Sequence, residues 1–430
     1  MTTTSLEYLH SLELFGIKFG LDNIRAILDA LDHPERAFRS VHVAGTNGKG
    51  SVTAMIDSVL RCAGYRSARY TSPHLVDLTE RFVVDGRPTT QAEMSRAIDR
   101  VRTAVAELQL RGVLDVHPTF FEVTTAVAFE IFRAAAVEVA VCEVGLGGRL
   151  DATNVLTPMA TAITSIAFDH QQYLGHSLAE IAAEKAGIIK PEVPVVVGAV
   201  DPEAARVIEH TARDRGAPLV WAHAGVDIEP IAVQQGRQAV RLRTPRRDYG
   251  VLRLALAGRH QMDNAIVAVR VLECLDAADV QVSPRAVVEG LASVAWRGRL
   301  EEIRLEDGRT ALLDAAHNPA GAKALAEFLA AQPDRRPLVF AAMRDKDARG
   351  LLATLAPHVS SLVVTRASNP RSAEPHDLET IAVAVAADLP VYTADAIGVA
   401  LDRAWKLSPQ IVVAGSIFLL GDVLKELQRT

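Results

Sequence analysis

The chain has 430 residues, of which 49% are hydrophobic, 23% charged and only 5% aromatic. This length exceeds a single ordinary core, so we expect two domains, and the composition is typical of a folded protein with aliphatic cores. The formal net charge of −6 and the lack of a dense Lys/Arg run argue against nucleic-acid binding. No apolar run in the sequence is long enough to cross a bilayer, and the first residues lack a signal-peptide pattern.

Three cysteines are scattered through the chain, at Cys62, Cys142 and Cys274. An odd, dispersed set favours reduced thiols over a disulfide framework or a zinc site. We therefore expect a cytoplasmic protein that has no membrane or nucleic-acid partner, and we expect it to be a monomer.

A glycine-rich segment at 45–51, Gly-Thr-Asn-Gly-Lys-Gly-Ser, follows an apolar strand predicted at 40–44 and precedes an amphipathic helix pattern. Backbone N–H groups of such a turn, together with the helix dipole, bind phosphate. Lys49 is then placed for the outer phosphates and Ser51 for Mg²⁺. The spacing departs from G-x-x-x-x-G-K-[ST], because two residues separate the first glycines and Gly50 follows the lysine. The alternative is a glycine-rich turn with an exposed lysine.

Farther along, apolar strands alternate with amphipathic helices, which is typical of a parallel sheet with helices on both faces. A helix predicted at 177–189 opens with a capping box formed by Ser177 and Glu180. Residues 230–257 have the pattern of antiparallel strands. The predicted strands of the parallel sheet are 40–44, 138–144, 160–167 and 194–199, and the later helices are 262–277 and 284–293.

The pattern restarts near Trp296 and continues as a second, smaller α/β unit of about 130 residues. We place the boundary at 297/298, which predicts domains of 1–297 and 298–430. The predicted elements of the second domain are strands 311–315, 338–342, 361–365 and 411–414, and helices 319–331, 347–356 and 377–387, followed by a final helix.

Polar residues stand at the carboxyl ends of predicted strands, where ligands bind in α/β sheets. Glu143 ends the strand 138–144, and a carboxylate there is costly to bury unless it is paired or bound to a metal. His170 follows the strand 160–167, and Lys185 lies in the next helix. Beside a nucleotide-phosphate loop, Glu143 and His170 are candidate ligands of the Mg²⁺ that accompanies ATP. The alternatives are a loop-capping glutamate, a surface histidine and a lysine that stabilises a helix end.

The segment Gly145-Leu-Gly-Gly148 resembles part of a dinucleotide-binding fingerprint. It lacks the third glycine at the required spacing, and no clear crossover helix follows it, so a dehydrogenase is a weak alternative. The next residues, from Arg149 to Asn154, are better explained as a loop that faces substrate.

In the second domain, Asp314 and His317 stand at a strand end, just before a helix that opens with proline at 319–331. This is again a ligand position in an α/β sheet. Asn318 has the alternative of capping that helix. Arg299, at the domain junction, is a candidate phosphate ligand, and its alternative is a surface ion pair.

These motifs resemble the folylpolyglutamate synthase/dihydrofolate synthase family, which is related to the Mur cell-wall ligases. They occur in family order over nearly the whole chain, and the glycine between Lys49 and Ser51 is what the family carries there. The matching segments are His42-Val-Ala-Gly-Thr-Asn-Gly-Lys-Gly-Ser51, Thr71-Ser-Pro-His-Leu75, Phe120-Phe-Glu-Val-Thr-Thr125, Glu143-Val-Gly-Leu-Gly-Gly-Arg-Leu-Asp-Ala-Thr-Asn154, Asp169-His170, Glu184-Lys-Ala-Gly-Ile-Ile-Lys190, Gly258-Arg-His-Gln-Met-Asp-Asn-Ala265, Trp296-Arg-Gly-Arg-Leu-Glu301 and Asp314-Ala-Ala-His-Asn-Pro319.

The resemblance implies a P-loop-containing, mostly parallel sheet in an ATP-binding domain, and a smaller Rossmann-like α/β domain that ligates glutamate. It also implies an ATP-dependent amide ligase. The carboxylate of a folate or of dihydropteroate would attack the γ-phosphate of ATP, and the amine of L-glutamate would then attack the acyl phosphate. Because the carboxylate and the polyphosphate repel each other, Mg²⁺ and Lys49 must neutralise charge where it develops.

The same resemblance assigns roles to single residues. Lys49, Lys185 and His317 would be catalytic, and Lys185 matches a lysine that the family carbamylates. Family members more usually carry a tyrosine where Phe418 stands, which leaves the detail of the glutamate pocket open. The implied ATP-binding residues are Gly45, Thr46, Asn47, Gly48, Lys49, Gly50, Ser51, Asn264 (adenine), Arg299 (phosphates) and Asp314 (ribose); the metal ligands are Ser51, Glu143 and His170; the folate-binding residues are Phe121, Asp151 and Ala152; and the glutamate-binding residues are His317 and Ser416.

Two other functions stay open from the sequence. A Mur-type ligase that acts on a UDP-sugar peptide would share the ATP site, but Gly50, the Thr-Ser-Pro-His motif at 71–74 and the short stretch of about 40 residues before the phosphate loop argue against it. A non-catalytic ATP-binding module would leave Glu143, His170 and the second-domain pair without a reason to converge. No residue decides whether dihydropteroate is used besides tetrahydrofolate, and we expect both.

Overall fold

The computed structural model describes residues 4–12, 16, 18–234 and 236–428. The described chain forms two compact units. The first comprises the residues up to Ile231 together with Ala239–Arg253 and Asp263–Val294. The second comprises Ala232–Gln238, Leu254–Met262 and the residues from Ala295 onward. The domain limits of 1–297 and 298–430 stay a prediction.

Eight strands form the central sheet of the first unit. They are β1 (Arg39–Ala44), β2 (Ser67–Tyr70), β3 (Phe82–Val84), β4 (Arg87–Pro88), β5 (Val139–Glu143), β6 (Ala160–Ile163), β7 (Val195–Val197) and β8 (Leu219–Trp221). Their order is β4-β3-β2-β5-β1-β6-β7-β8. The strands from β2 to β8 in this order pair in parallel, and β3 and β4 pair antiparallel at the β2 edge. β1 lies in the middle, and its apolar residues are buried because helices cover both faces of such a sheet.

Helices precede, connect and follow these strands. They are α1 (Ser5–Leu12), α2 (Asp22–Ala30), α3 (Lys49–Cys62), α4 (Gln91–Leu110), α5 (Phe120–Ala134), α6 (Gln171–Leu174), α7 (Leu178–Ala186), α8 (Pro202–Asp214), α9 (His260–Asp276) and α10 (Pro284–Ser293). Every residue of α3 from Gly50 to Leu60 is buried. α10 packs directly on it: a Cβ at Gly290 would lie 2.6 Å from Val59 Cα, and Ser58 Oγ donates to Gly290 O at 2.9 Å. This close packing fixes the helix that follows the phosphate loop.

Three further strands, β9 (Asp227–Gln234), β10 (Arg237–Arg243) and β11 (Asp248–Ala257), form their own sheet in the order β11-β10-β9. The prediction of β-structure over 230–257 is therefore confirmed. Among the described residues, the helices are all too short or too polar to cross a bilayer.

The second unit contains a six-stranded sheet in the order β12-β13-β17-β14-β15-β16. Its strands are β12 (Glu301–Arg304), β13 (Thr310–Leu313), β14 (Leu338–Phe340), β15 (Leu362–Val364), β16 (Val391–Thr393) and β17 (Gln410–Ala414), and its helices are α11 (Pro319–Ala330), α12 (Ala348–Leu355), α13 (Pro375–Val385), α14 (Ile397–Leu407) and α15 (Ile417–Leu427). All pairings are parallel except that of β12 with β13. Both units are thus α/β with mostly parallel sheets, which confirms the predicted fold class.

Several predicted elements end earlier than expected, and two of them lie next to the site. The strand predicted at 160–167 stops at Ile163, because the next residues hydrogen-bond to the phosphate loop instead of continuing the sheet. The helix predicted at 177–189 ends at Ala186, one residue before Gly187. Such shifts of one to four residues leave the strand order and the site positions unchanged.

Candidate functional site

The phosphate loop, residues 45–51, connects β1 to α3. β1 pairs in parallel with β5 and β6, so its carboxyl end lies between theirs. α3 begins at Lys49, and Val52 N donates to Gly48 O at 2.9 Å. In the described chain no side chain caps this helix end. Because the first turn of a helix leaves backbone N–H groups without intrahelical acceptors, this end is suited to an anion.

Two glycines of the loop cannot be replaced without strain. Gly45 has φ +149° and Gly48 has φ +85°, a backbone conformation that L side chains rarely adopt. A Cβ at Gly45 would overlap Thr164 Oγ1, and a Cβ at Gly48 would overlap Oδ1 of Asn264, which lies in α9. Asn264 was predicted to contact adenine, and the structure brings its side chain against the loop.

The segment after β6 holds the phosphate loop in place. Thr46 N donates to Ser165 O at 2.8 Å, and Thr46 Oγ1 exchanges hydrogen bonds with the backbone of Ala167 at 3.0 and 3.1 Å. Thr164 Oγ1 donates to Asn47 O at 2.6 Å, and Ser165 Oγ donates to the same oxygen at 3.0 Å. Thr164 and Ser165 belong to no motif considered from the sequence, although their polarity at the end of an apolar strand is a usable signal.

Lys49 and Glu143 meet at the carboxyl ends of β1 and β5. Lys49 Nζ lies 4.0 Å from Glu143 Oε1 and donates to the carbonyl oxygens of Gly45 and Thr46 at 3.1 and 3.2 Å. Glu143 is only 5% exposed, and its Oε2 accepts from Ser72 N at 3.4 Å. The structure therefore brings together an ammonium group and a carboxylate that the sequence assigned to one nucleotide site.

Lys185, in the last turn of α7, is only 4% exposed. Burial, and after it the charge of the nearby Lys49, lower the pKa of its ammonium group to about 7, although the carboxylates of Asp169, Asp151 and Glu184 partly oppose both effects. At neutral pH a large fraction of this amine is therefore uncharged, whereas an exposed lysine would be almost fully protonated. A neutral amine is nucleophilic, and this one lies within electrostatic reach of Lys49.

The predicted metal ligands differ in their surroundings. Ser51 is buried in the first turn of α3, next to the loop. His170 has φ +49° just before α6, and its Nε2 lies 3.9 Å from Asp169 Oδ1. No group of three His, Cys, Asp or Glu side chains in the described residues could hold a metal alone. The Ser51 hydroxyl and the Glu143 carboxylate are nevertheless the hard oxygen donors that suit Mg²⁺, which in nucleotide sites takes further oxygens from phosphate and water.

Asp151 and Ala152, predicted to bind folate, are buried in the connection between β5 and β6. The Asp151 carboxylate accepts from Leu146 N at 2.9 Å and Thr153 N at 3.0 Å, and also from the Thr153 hydroxyl. Burial raises the pKa of Asp151, and these hydrogen bonds oppose the rise. The carboxylate thus fixes the loop that carries it, while its burial costs free energy when it is ionised.

Phe121, the third predicted folate-binding residue, stands near the start of α5. Its ring stacks on the Tyr70 ring with centroids 5.9 Å apart. It also lies so close to Gly145 that any Cβ there would overlap the ring. Gly145 is therefore explained by aromatic packing and not by a dinucleotide fingerprint.

Arg81 and His74 form a polar pair next to this aromatic group. Arg81 Nε donates to His74 Nδ1 at 3.0 Å, and the guanidinium carbon lies 5.2 Å from the centroid of the Phe120 ring. His74 lies in the family motif at 71–75, but neither residue has a role predicted from the sequence. Their contact joins residues seven apart in a loop, which no periodicity indicates.

In the second unit, Asp314 follows β13 and is buried. Its carboxylate accepts from Leu300 N at 2.9 Å and Ala316 N at 3.0 Å. Burial raises the pKa of Asp314, and the charges of Arg299 and His260 together with these hydrogen bonds oppose the rise. The structure thus brings Asp314 and Arg299, two predicted nucleotide ligands, into electrostatic contact.

The other predicted residues of the second unit stand at helix starts. His317 Nδ1 lies 2.8 Å from Ala315 O. Asn318 caps α11 by accepting a hydrogen bond from a first-turn N–H at 2.8 Å, which is the alternative role weighed from the sequence. Ser416 caps α15 by accepting from Phe418 N at 3.2 Å. A purely structural role therefore explains Asn318, and it accounts for part of the conformation of Ser416.

Comparison with known proteins matches these two regions to one family. The model of the Mur ligase middle domain matches residues 43–272, and that of the Mur ligase glutamate ligase domain matches residues 298–417. The dihydrofolate synthase/folylpolyglutamate synthase of Bacillus subtilis is 33% identical over an alignment of 441 positions, gaps included, which covers 98% of each chain. The chain belongs to the folylpolyglutamate synthase/dihydrofolate synthase family. This confirms the resemblance found in the sequence, and it makes the protein an ATP-dependent ligase of the folylpolyglutamate synthase/dihydrofolate synthase kind.

Solved structures of this family agree with the fold. A folylpolyglutamate synthase of Mycobacterium tuberculosis, complexed with ADP and AMPPCP, superposes with a TM-score of 0.90 at 36% identity and covers 99% of this chain and 98% of its own. An Escherichia coli family member in complex with DHPP and ADP superposes with a TM-score of 0.86 at 29% identity over the full length of both chains. The two-unit α/β architecture is thus that of the family.

Proposed function

We propose that this family member joins L-glutamate to a folate-type carboxylate in an ATP-dependent reaction that proceeds through an acyl phosphate. One observation carries the proposal: an uncapped helix start follows β1, and Lys49 lies 4.0 Å from the buried Glu143 at the same strand ends. Transfer of a phosphoryl group needs N–H donors and an ammonium group where negative charge develops. The phosphate loop supplies the donors and Lys49 supplies the charge.

ATP binds with its phosphates on the backbone N–H groups of the phosphate loop. Asn264, whose side chain lies against Gly48, contacts the adenine. In the second unit, Arg299 contacts the phosphates and Asp314 the ribose. The complex of the Mycobacterium tuberculosis relative with ADP and AMPPCP supports an adenine nucleotide as a ligand of this family.

The reaction has two steps. A carboxylate oxygen of the folate attacks the γ-phosphorus, and the bond from that phosphorus to the bridging oxygen breaks, so that ADP leaves and an acyl phosphate forms. The neutral amine of glutamate then attacks the acyl carbon, phosphate leaves with the C–O electron pair, and the amine gives up one proton. The ammonium group of Lys49 stabilises the charge of the first step.

Ser51, Glu143 and His170 are the residues that would hold Mg²⁺. The ion would supply neutralisation of the charge on the phosphates. The burial of Ser51 and Glu143 keeps both oxygen donors in place beside the loop. His170 contributes from the segment that precedes α6.

Lys185 is the residue that carbon dioxide would carbamylate. Its depressed pKa of about 7 leaves a neutral amine, which attacks the carbon of CO₂ and releases a proton. The product is an anion in place of a cation, so the repulsion from Lys49 becomes attraction. We expect Lys185→Ala to lose most activity and to regain part of it with acetate or propionate. Full activity of this variant without added carboxylic acid would argue against carbamylation.

The folate-type substrate binds beside Phe121, Asp151 and Ala152. The stack of Phe121 on Tyr70 supplies an aromatic surface, and the carboxylate of Asp151 holds the loop that carries Ala152. The complex of the Escherichia coli family member with DHPP supports a pterin-type ligand in this family. Glutamate binds in the second unit, at His317 and Ser416.

The deciding experiment measures phosphate release from ATP by the purified protein, with and without L-glutamate. Dihydropteroate, tetrahydrofolate and a UDP-sugar peptide are offered in parallel. We expect glutamate-dependent release with dihydropteroate and with tetrahydrofolate. Release with tetrahydrofolate alone would restrict the activity to polyglutamylation, and release with the UDP-sugar peptide alone, or with no acceptor, would overturn the proposal.

We also propose a cytoplasmic monomer with domains of 1–297 and 298–430. The scattered cysteines support a reducing compartment. Sedimentation equilibrium tests the monomer, and limited proteolysis that cuts near 297 tests the domain limits.

A further inference from the structure

A cavity of about 520 Å³ lies in the first unit and includes no residue of the phosphate loop. Its walls come from α2, from the 3₁₀ turn at Pro34–Arg36, from residues 154–157 and from Lys190. This volume falls in the range of small-molecule sites. None of these residues has a role in the proposed ligase reaction.

The cavity lies at the amino ends of the parallel strands. The 3₁₀ turn precedes β1, residues 154–157 precede β6, and Lys190 precedes β7. β1, β6 and β7 are neighbours and run in parallel, so the segments that precede them meet at the amino ends of these strands. The phosphate loop follows β1 at its other, carboxyl end. A ligand in the cavity is therefore separate from the nucleotide.

Two cations on the wall are weakly matched by carboxylates. Lys190 Nζ donates to Asn154 O at 2.8 Å, and burial together with the charges of Arg215 and Arg25 lowers its pKa to about 8. Arg25 pairs with the fully exposed Asp22 at 3.9 Å, a contact that contributes little. The resulting positive potential favours an anion beside Lys190 and Arg25.

The carboxylates that line the cavity have partners of their own. His33 lies 3.1 Å from both Asp29 and Glu35, and Arg36 Nε lies 3.4 Å from Glu35 Oε1. Within the described residues, neither acid forms an ion pair with Lys190 or Arg25.

Two acceptors of the wall lack donors. Within the described residues, Glu35 Oε2 and Asn154 Oδ1 are buried and accept no hydrogen bond. The side chain of Glu35 is 9% exposed, and Asn154 is 7% exposed as a residue. Buried acceptors of this kind are costly, and an occupant with N–H groups would satisfy them.

We propose that this cavity is a binding site for a small ligand that carries both an anionic group and an amine, the chemistry of an acidic amino acid. Its carboxylates bind Lys190 and Arg25, and its ammonium group donates to Glu35 and Asn154. The site is distinct from the glutamate substrate site of the proposed function, which belongs to the second unit.

Acylation of lysines by N-hydroxysuccinimidyl acetate, followed site by site with mass spectrometry, tests this proposal on the full chain. L-glutamate at millimolar concentration is expected to slow acylation of Lys190 severalfold, while exposed Lys406 and Lys425 are modified at unchanged rates. Glutarate, which has the two carboxylates but no amine, is expected to protect less well. Lack of protection by glutamate would overturn the site, and equal protection by glutarate would overturn the role of Glu35 and Asn154.

Arg25→Gln and Arg96→Gln form a matched pair for the same measurement. Both replace an exposed arginine on a helix, but only Arg25 lines the cavity. We expect Arg25→Gln to weaken protection by glutamate about tenfold, which is typical of the loss of one charged hydrogen bond. Equal protection in both variants would contradict the proposal. Since acylation of Lys190 reports locally, the outcome does not depend on whether the chain ligates glutamate.

Discussion

The candidate residues of the two units are held in place in different ways. In the first unit, burial together with the charge of the nearby Lys49 lowers the pKa of Lys185, an arrangement that does not stabilise the fold. In the second unit, Asn318 and Ser416 satisfy backbone N–H groups at helix starts, so the fold alone gives them a purpose. An unfavourable arrangement is the stronger sign of function, because nothing else explains its presence.

Asp314 is intermediate between these two cases. Its hydrogen bonds from Leu300 and Ala316 organise the turn after β13, while its burial raises its pKa. We therefore expect substitution of the charged site residue Lys49 in the first unit to impair activity more than stability, and substitution of Asp314 or Ser416 in the second unit to change both. The following variants test this difference.

Removal of the Lys49 ammonium group is expected to have the largest effect. Lys49→Ala should lower kcat by about 10³-fold, the effect of deleting one group that stabilises transition-state charge. Its melting temperature should stay close to that of the parent, since Lys49 donates only to loop carbonyl oxygens and lies 4.0 Å from Glu143. Stopped-flow measurement of acyl-phosphate formation and calorimetry check the two expectations.

Lys425→Ala, on an exposed position of α15, is the control for this substitution. It should leave both kcat and the melting temperature unchanged. A Lys49→Ala variant that ligates at a near-normal rate would show that Lys49 is not needed for phosphoryl transfer.

Local patterns were enough to predict the strand, loop and helix from 40 to 62. A short, mostly apolar strand, three glycines and a 3.6-residue period all lie within that one segment. These local patterns did not predict the residues that hold the loop in place. Thr164 and Ser165 contact Asn47 across more than a hundred residues, and the apolar Ile166 and Ala167 beyond them extended the apparent strand.

Some short or partly exposed strands were also not predicted from the sequence. β16, Val391–Thr393, is three residues long and only half-buried, so it has too few residues to display a period. The cavity at the amino ends of the strands was beyond sequence analysis for another reason. Its wall combines α2 with Asn154 and Lys190, and only the sheet brings these segments together.

Two glycines with the same backbone conformation, one in the phosphate loop and one in the second unit, allow the cost of a side chain to be compared between these two places. Gly48 has φ +85° and a Cβ there would overlap Asn264, whereas Gly308 has φ +86° and open space around it. Gly308→Ala should cost about 1 kcal/mol of unfolding free energy, the strain of a left-handed alanine. Gly48→Ala should cost about 2 to 3 kcal/mol and should also weaken ADP binding.

Urea denaturation and titration calorimetry with ADP measure these two effects. Equal destabilisation of the two variants, with unchanged ADP affinity, would show that the contact with Asn264 is easily relieved and that the loop tolerates a side chain.

The burial of Lys185 predicts a dependence of stability on pH. Its pKa is about 7 in the fold, against a usual value of 10.5, so between these values the unfolded chain binds a proton that the native state lacks. The free energy of unfolding should therefore rise with pH through this window, by about 1 kcal/mol per pH unit from this group. Lys185→Met should lose that part of the rise, as measured by urea denaturation in CO₂-free buffer near pH 7.5 and 9. An identical pH slope in the parent and the variant would mean that Lys185 is not desolvated as the structure has it.

The smallest effects are expected for Ser416→Ala and Ser283→Ala. The two variants distinguish helix capping, which both serines provide, from glutamate binding, which is proposed for Ser416 alone. Both serines accept a hydrogen bond from a first-turn N–H group, at 3.2 Å in α15 and 3.1 Å in α10. Loss of either cap should lower the free energy of unfolding by about 1 kcal/mol. Only Ser416→Ala should also raise the KM for glutamate, because its hydroxyl has a second role under the proposed function. If both variants lose the same stability and neither changes that KM, Ser416 serves the fold alone, and glutamate binding in the second unit then rests on His317.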